Sequence, residues 1–269
     1  MPVSFCPLAS GSSGNSVYVS AEGGGVLVDA GLSGSSIERA LFAVGKGFDG
    51  IKAILITHEH SDHVSGAGIL SRRYDIPVYA TAGTWEGAGH GGHLGRIGRD
   101  NRRLVVPGAE FYIGGLTVRA FDIPHDARQP VGYSFSAEGF KMAMATDVGE
   151  PSETVVESLS GSDVILIESN HDVDMLVRGK YPQFLKKRIL GKNGHLSNVN
   201  AGLLICEVFS DRLKHIFLGH LSEENNRPLI AFDTVTRILS ANEVRTNCEG
   251  GVRLSVAERS SASVLVELG

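Results

Sequence analysis

Six residues constrain this chain more than any others. The run HEHSDH occupies 58–63 and follows the apolar stretch KAILIT (52–57) directly. KAILIT has the length and composition of a buried strand. Where it ends, His58, His60, Asp62 and His63 supply three imidazoles and a carboxylate. Alternate residues of extended backbone project to one side, so His58 and His60 can share an ion. Asp62 and His63 then point at a second position beside it. Imidazole suits zinc, iron, nickel or manganese, and a carboxylate shifts the preference toward harder ions. A polar surface loop is the bland alternative, but this density of donors at a strand end favours a metal site.

Around that motif, apolar runs alternate with glycine turns. VSFCPLA, SVYVSA and GVLVDAG predict strands, followed by a helix over 35–44, the strand KAILIT, a helix over Val64–Tyr74 and the strand IPVYAT. RLVV, EFYI, LTVRAFDI, VGYSFSA and FKMAMAT predict a second set of strands. Helices are expected over 151–159, 172–178, 182–190, 198–210 and 225–240, with DVILIES, HIFLGH and a closing GGVRLSVA as strands. Two strand-rich blocks flanked by helices predict an αββα sandwich of two mixed sheets. No repeat, low-complexity tract or Pro/Ser-rich linker divides the chain, so a single hydrolase domain over 1–269 is expected.

HEHSDH matches the HxHxDH motif of the metallo-β-lactamase superfamily, and the whole pattern resembles that family. The resemblance implies further ligands, each at a strand end: His125 in LTVRAFDIPHDA, Asp147 in FKMAMATDVG as a bridging carboxylate, and His220 in HIFLGHLS. It also implies that Asp29, in VLVDAG, braces the histidine loop without binding metal. The implied centre holds two divalent ions, zinc or manganese with iron as a third choice. His58, His60 and His125 would take one, Asp62, His63 and His220 the other, and a hydroxide between them would be the nucleophile. Asp62 is expected to serve catalysis as well as ligation.

Three more segments narrow the resemblance. LASGSSGNS (8–16), ESNHD (168–172) with the following GHLSN, and LGHLSEENN (218–226) are similar to the YycJ/WalJ group of bacterial metallohydrolases over most of the chain. More distantly they resemble a phosphonate-pathway cyclic phosphodiesterase and the tRNA 3′-processing endonuclease. The implied activity is phosphodiester hydrolysis, with exonuclease action on DNA favoured. The alternative is a glyoxalase-like ester, thioester or lactone hydrolase on the same metals. By the same likeness His195 would protonate the leaving oxygen, although it could instead simply cap the helix that follows. His171 faces substrate or braces its loop. Ser10, Ser12 and Asn15 either present a phosphate nest or form a plain turn, and Asn225 of the ENN element is expected near substrate.

A net charge of −5 gives no global basic field for nucleic acid. Local tracks are candidates instead: Lys180, Lys186, Lys187, Arg188 and Lys192 in one stretch, and Arg96, Arg99, Arg102 and Arg103 in another. Each is either a polyanion contact or a solvated face. His90 and His93, in GAGHGGHLG, read as glycine-loop residues rather than ligands. Cys6, Cys206 and Cys248 show no disulfide or knuckle spacing, which suits a reducing compartment. No signal peptide or membrane span is read, so a cytoplasmic protein without a membrane partner is expected.

Overall fold

The computed structural model describes residues 2–269, apart from the side chains of His90 and Gly91. In chain order the elements are β1 (Val3–Ala9), β2 (Ser16–Ala21), β3 (Gly24–Val28), α1 (Gly34–Ala43), β4 (Ile51–Leu55), α2 (Ser61–Val64), α3 (Ala67–Tyr74), β5 (Val78–Ala80), α4 (Ala82–Gly91), β6 (Arg102–Leu104), β7 (Glu110–Ile113), β8 (Leu116–Asp122) and β9 (Val131–Ala137). They continue with β10 (Phe140–Ala145), α5 (Glu153–Leu159), β11 (Val164–Glu168), α6 (Val173–Arg178), α7 (Gln183–Ile189), α8 (Asn198–Val208), β12 (His215–Gly219), α9 (Pro228–Ala241), β13 (Arg253–Val256) and β14 (Val266–Leu268). The strands make two mixed seven-stranded sheets, ordered β14-β1-β2-β3-β4-β5-β6 and β13-β12-β11-β10-β9-β8-β7. With the flanking helices this is the expected αββα architecture.

By compactness the chain groups into two units. The first holds residues up to Asp122, 127–140 and those from Glu258 on. Its core is aliphatic: Leu8, Leu27, Ile37, Leu41, Ile54 and Ile56 are all fully buried. Strands β3 and β4 run parallel, with Val28 opposite Leu55, so their C-terminal ends lie side by side. The second unit holds 123–126 and 141–257. Here β10, β11 and β12 are parallel neighbours, with Ala145 opposite Ile167 and Ile167 opposite Leu218. Their C-terminal ends therefore share one edge, where open parallel sheets carry their chemistry.

Two expectations need correction. The helix read over Val64–Tyr74 is broken into α2 and α3. Gly66 donates its N–H to Ala30 O, and a Cβ there would come 2.2 Å from Leu32 O, so the backbone turns at a point where only glycine fits. Of the stretch GAGHGGHLG, read as a glycine loop, the first five residues instead close the helix α4 and the rest lies beyond it. Its glycines lower helix propensity by about 1 kcal/mol each, but they allow contact. A Cβ on Gly83 would meet Gln129 Cβ at 2.5 Å, and one on Gly87 would meet Glu59 Cγ at 2.7 Å. Thr81 caps the helix by accepting from Thr84 N–H. His93 is an exposed residue just past α4, while the His90 side chain lies outside the described residues. Strand β14 was not foreseen. It pairs antiparallel with β1, Val266 facing Phe5.

Candidate functional site

Each unit gathers its own set of histidines around a buried carboxylate that ends a strand. In the first unit Asp29 follows β3, with a left-handed φ of 60° and 1% exposure. One oxygen accepts the Thr57 backbone N–H at 2.8 Å; the other accepts the Thr57 hydroxyl at 2.9 Å and stands 2.7 Å from His63 Nδ1. Burial raises the Asp29 carboxyl above its usual range, against the pull of His63 and Thr57. With Nδ1 given to Asp29, His63 presents Nε2, which lies 3.2 Å from Asn15 Nδ2 and 3.4 Å from Asp62 Oδ2. Thr57 Oγ1 also lies 3.0 Å from His58 Nδ1. His58 Nε2 is then directed at His60 Nδ1, 3.0 Å away.

The second unit repeats the plan with more histidines. Asp147 follows β10 and His220 follows β12, both left-handed (φ 59° and 54°), and Glu168 ends β11. Glu168 is fully buried. Its Oε1 stands 2.8 Å from both His195 Nδ1 and His220 Nδ1; its Oε2 accepts the backbone N–H groups of Val148 and Leu196, each at 2.9 Å. Burial alone would raise this carboxyl, but the two imidazoles outweigh it and hold it at about 2. Asp147 Oδ1 lies 3.5 Å from His220 Nε2 and 3.7 Å from His125 Nε2. The His125 Nδ1 lies 3.2 Å from Gly194 O. Burial works against a charge on His195, yet the carboxylates of Glu168 and Asp147 raise its pKa overall.

This arrangement fits divalent ions. Metal-binding imidazoles are oriented by giving one nitrogen to a carboxylate or carbonyl and keeping the other for the ion. His63, His220 and His125 are all held in that way. Ligand atoms of Asp147, Glu168, His195 and His220 lie within 4.8 Å of one another.

Glu168 was not singled out from the sequence. Its signal is nonetheless there: VILIE closes an apolar strand with a carboxylate just as GVLVD does. The expected substrate contacts fare differently. Asn15 is 4% exposed and serves inside its loop, its Oδ1 accepting Gly11 N–H at 2.9 Å and its Nδ2 3.3 Å from Asp62 O. Ser10 is buried as well, whereas Ser12 is exposed. Asn225 is buried, and its carbonyl accepts Asp172 N–H. The neighbouring Asn226 forms a reciprocal amide pair with Asn198, at 3.0 and 2.9 Å, joining the HLSN and ENN loops. His171 is 1% exposed, its ring nitrogens lack hydrogen-bond partners among the described residues, and burial lowers its pKa to about 4. As placed, Ser10, Asn15, His171 and Asn225 are buried, as His58, His63, Asp147 and His220 are.

The basic stretches are also partly spent. Lys186 is buried, and its Nζ donates to Val177 O and Gly179 O, both at 2.7 Å. Arg188 pairs with Asp126, and Lys192 Nζ lies 3.4 Å from Glu150. In the other stretch, Arg102 lies over the Trp85 ring and Arg103 donates to Asp100 O. No described helix is long and apolar enough to cross a membrane.

Comparison with known proteins follows the same lines. The β-lactamase superfamily domain model matches residues 25–214. The chain is 40% identical over 239 residues to Exodeoxyribonuclease YycJ of Bacillus anthracis, covering 89% of this chain and 90% of that protein. It is 39% identical over 233 residues to Exodeoxyribonuclease WalJ of Streptococcus pneumoniae, covering 87% of each. Its fold resembles the metallo-β-lactamase fold protein YhfI of Bacillus subtilis, with a TM-score of 0.73 over 99% of both chains at 14% identity.

Proposed function

The chain belongs to the metallo-β-lactamase superfamily and is a metal-dependent hydrolase, and on that premise we propose that it is a dinuclear phosphodiesterase that degrades DNA from an end. The observation that carries this reading is the pair of buried carboxylates, Asp29 and Glu168, committed to histidine Nδ1 atoms. Such bracing has little use unless the remaining nitrogens have work to do. DNA as substrate is supported by the names of relatives matched over nearly their whole length.

We assign one ion to His58, His60 and His125, and the other to Asp62, His63 and His220, with Asp147 shared, and we propose a single hydrolase domain over 1–269. Zinc or manganese suits these donors best, then iron. When bound, the ions supply an activated water and Lewis acidity toward phosphoryl oxygen. Asp29 fixes the His63 ring and Thr57 fixes His58, which leaves Nε2 of each for an ion. Glu168 stays ionised at neutral pH and holds the His195 ring by Nδ1. Burial opposes a charge on His195, but the carboxylates of Glu168 and Asp147 raise its pKa overall and so favour the proton-bearing form, and its side chain retains 17% exposure. His195 is therefore assigned as the general acid. Three free cysteines suit a reducing, cytoplasmic setting.

The test is a reconstitution panel with manganese or zinc: end-labelled single- and double-stranded DNA, RNA, bis-p-nitrophenyl phosphate and a thioester. Elemental analysis should find about two ions per chain. Asp147→Ala should lose most of both, and a variant that keeps both with normal turnover removes the shared-ligand assignment. Vigorous thioester turnover without phosphodiesterase action would overturn the phosphodiesterase reading.

A further inference from the structure

From Met175 to Cys206 the chain contains six cations and no carboxylate. Four of the six have partners. Lys186 is tied to the carbonyls of Val177 and Gly179, Arg188 to Asp126, Lys192 to Glu150 and Arg178 to Asp174. Lys180 and Lys187 are exposed and, among the described residues, form no ion pair. Between them stands Phe184, 74% exposed. Phe184 and Lys187 are three residues apart on α7, so they share a face. The Lys186 bond to Gly179 O ties the turn that precedes Lys180 to α7.

An exposed aromatic ring is ordinary by itself; here it stands on a carboxylate-free stretch with two ammonium groups that form no ion pair among the described residues. It matches the chemistry of single-stranded nucleic acid, in which bases stack on aromatic rings and phosphates seek cations. Helix α7 also leads straight to the catalytic loop. Ile189 O accepts the His195 N–H at 3.0 Å. Phe184 lies five residues up the helix from Ile189, about 7.5 Å along the axis.

Resting on the phosphodiesterase reading, we propose that α7 is the grip for the single-stranded end of the substrate: Phe184 stacks a base, and Lys180 and Lys187 hold the phosphates beside it. The grip is indifferent to sequence, because every base offers a π-face.

The test uses the metal-loaded protein and a phosphorothioate strand that resists cleavage, with binding followed by fluorescence anisotropy. Phe184→Ala should weaken single-strand binding roughly 5- to 100-fold, and raise the KM for oligonucleotide relative to that for bis-p-nitrophenyl phosphate. Phe184→Trp should restore binding, and the strand should quench the new indole fluorescence. Lys180→Glu with Lys187→Glu should flatten the salt dependence by a slope of about 1.4, two phosphates' worth. Phe42→Ala, an exposed ring on α1, should change nothing. If the parent protein degrades DNA and Phe184→Ala binds and cuts as well as it does, the grip is wrong and the phosphodiesterase reading stands. If the parent protein neither binds nor cuts any nucleic acid, both fall together. A Phe184→Trp signal that answers anionic phospholipid vesicles but not the strand would also overturn the grip.

Discussion

Asp29 and Glu168 occupy the same station in the two units. Each ends a buried apolar strand, and each gives its oxygens to histidine and to backbone N–H. They differ in how much hangs on them. Asp29 holds one imidazole and both donors of one threonine. Glu168 holds two imidazoles and the backbone of two separate loops, those of Val148 and Leu196. The electrostatics follow the partners. Burial wins at Asp29 and raises its carboxyl, whereas two histidines win at Glu168 and bring it to about 2. A buried carboxylate is thus set by what it serves, and the second unit asks more of its brace.

That contrast can be sharpened first at His195, which has no counterpart on Asp29. His195→Ala should keep both ions yet lower turnover roughly 10²- to 10⁴-fold on a nucleoside leaving group. The loss should be far smaller on p-nitrophenolate, which departs without a proton. Shedding of a metal by His195→Ala would exchange the assignments of His195 and His220. The direct comparison comes next. Glu168→Ala strands two buried N–H groups and two imidazoles, and should cost on the order of 3–5 kcal/mol in denaturant unfolding. Asp29→Ala should cost roughly 2–3 kcal/mol by the same logic. Equal losses, or the reverse order, would break the comparison.

Acid should separate the units more gently. His215 begins β12 in the second unit, buried, with Nε2 2.7 Å from Ser255 Oγ. Burial lowers its pKa to about 4, and the Arg253 charge adds to this. The unfolded chain therefore takes up that proton first, near 6.5, and the stability present above pH 6.5 drains away down to pH 4. The loss approaches about 3 kcal/mol. Hydrogen exchange at pH 5 should show β11 and β12 loosening before β3 and β4, and His215→Gln should reduce the difference, leaving the share of His171, which burial also holds at about 4.

Residues at strand ends were the legible ones. His58, Asp147 and His220 each stand where an apolar run stops, and hydrophobic periodicity marks such points well. Glu168 carries the same mark, but the polar run ESNHD that it opens reads as loop and masks the strand end within it. What stayed illegible depends on distant partners. Nothing local to Lys186 says that its ammonium is buried against Val177 O and Gly179 O, and nothing local to Asn15 says that it supports Asp62. The glycines of α4 argue for a loop until Glu59 and Gln129 are seen packed against them.

Asp29, Asp147 and His220 all sit in left-handed backbone, which costs L-residues up to about 1–2 kcal/mol apiece and glycine nothing. Heat and function therefore pull in opposite directions on this chain. A population selected only for thermal survival, without metal, gains at Asp147 by drifting to asparagine or glycine. Glycine relaxes the backbone, and either change removes a buried carboxylate beside Glu168. On the shared-ligand assignment its descendants would be hardier and inert. A relative with asparagine at this position would then be a retired enzyme whose sheets outlived its chemistry.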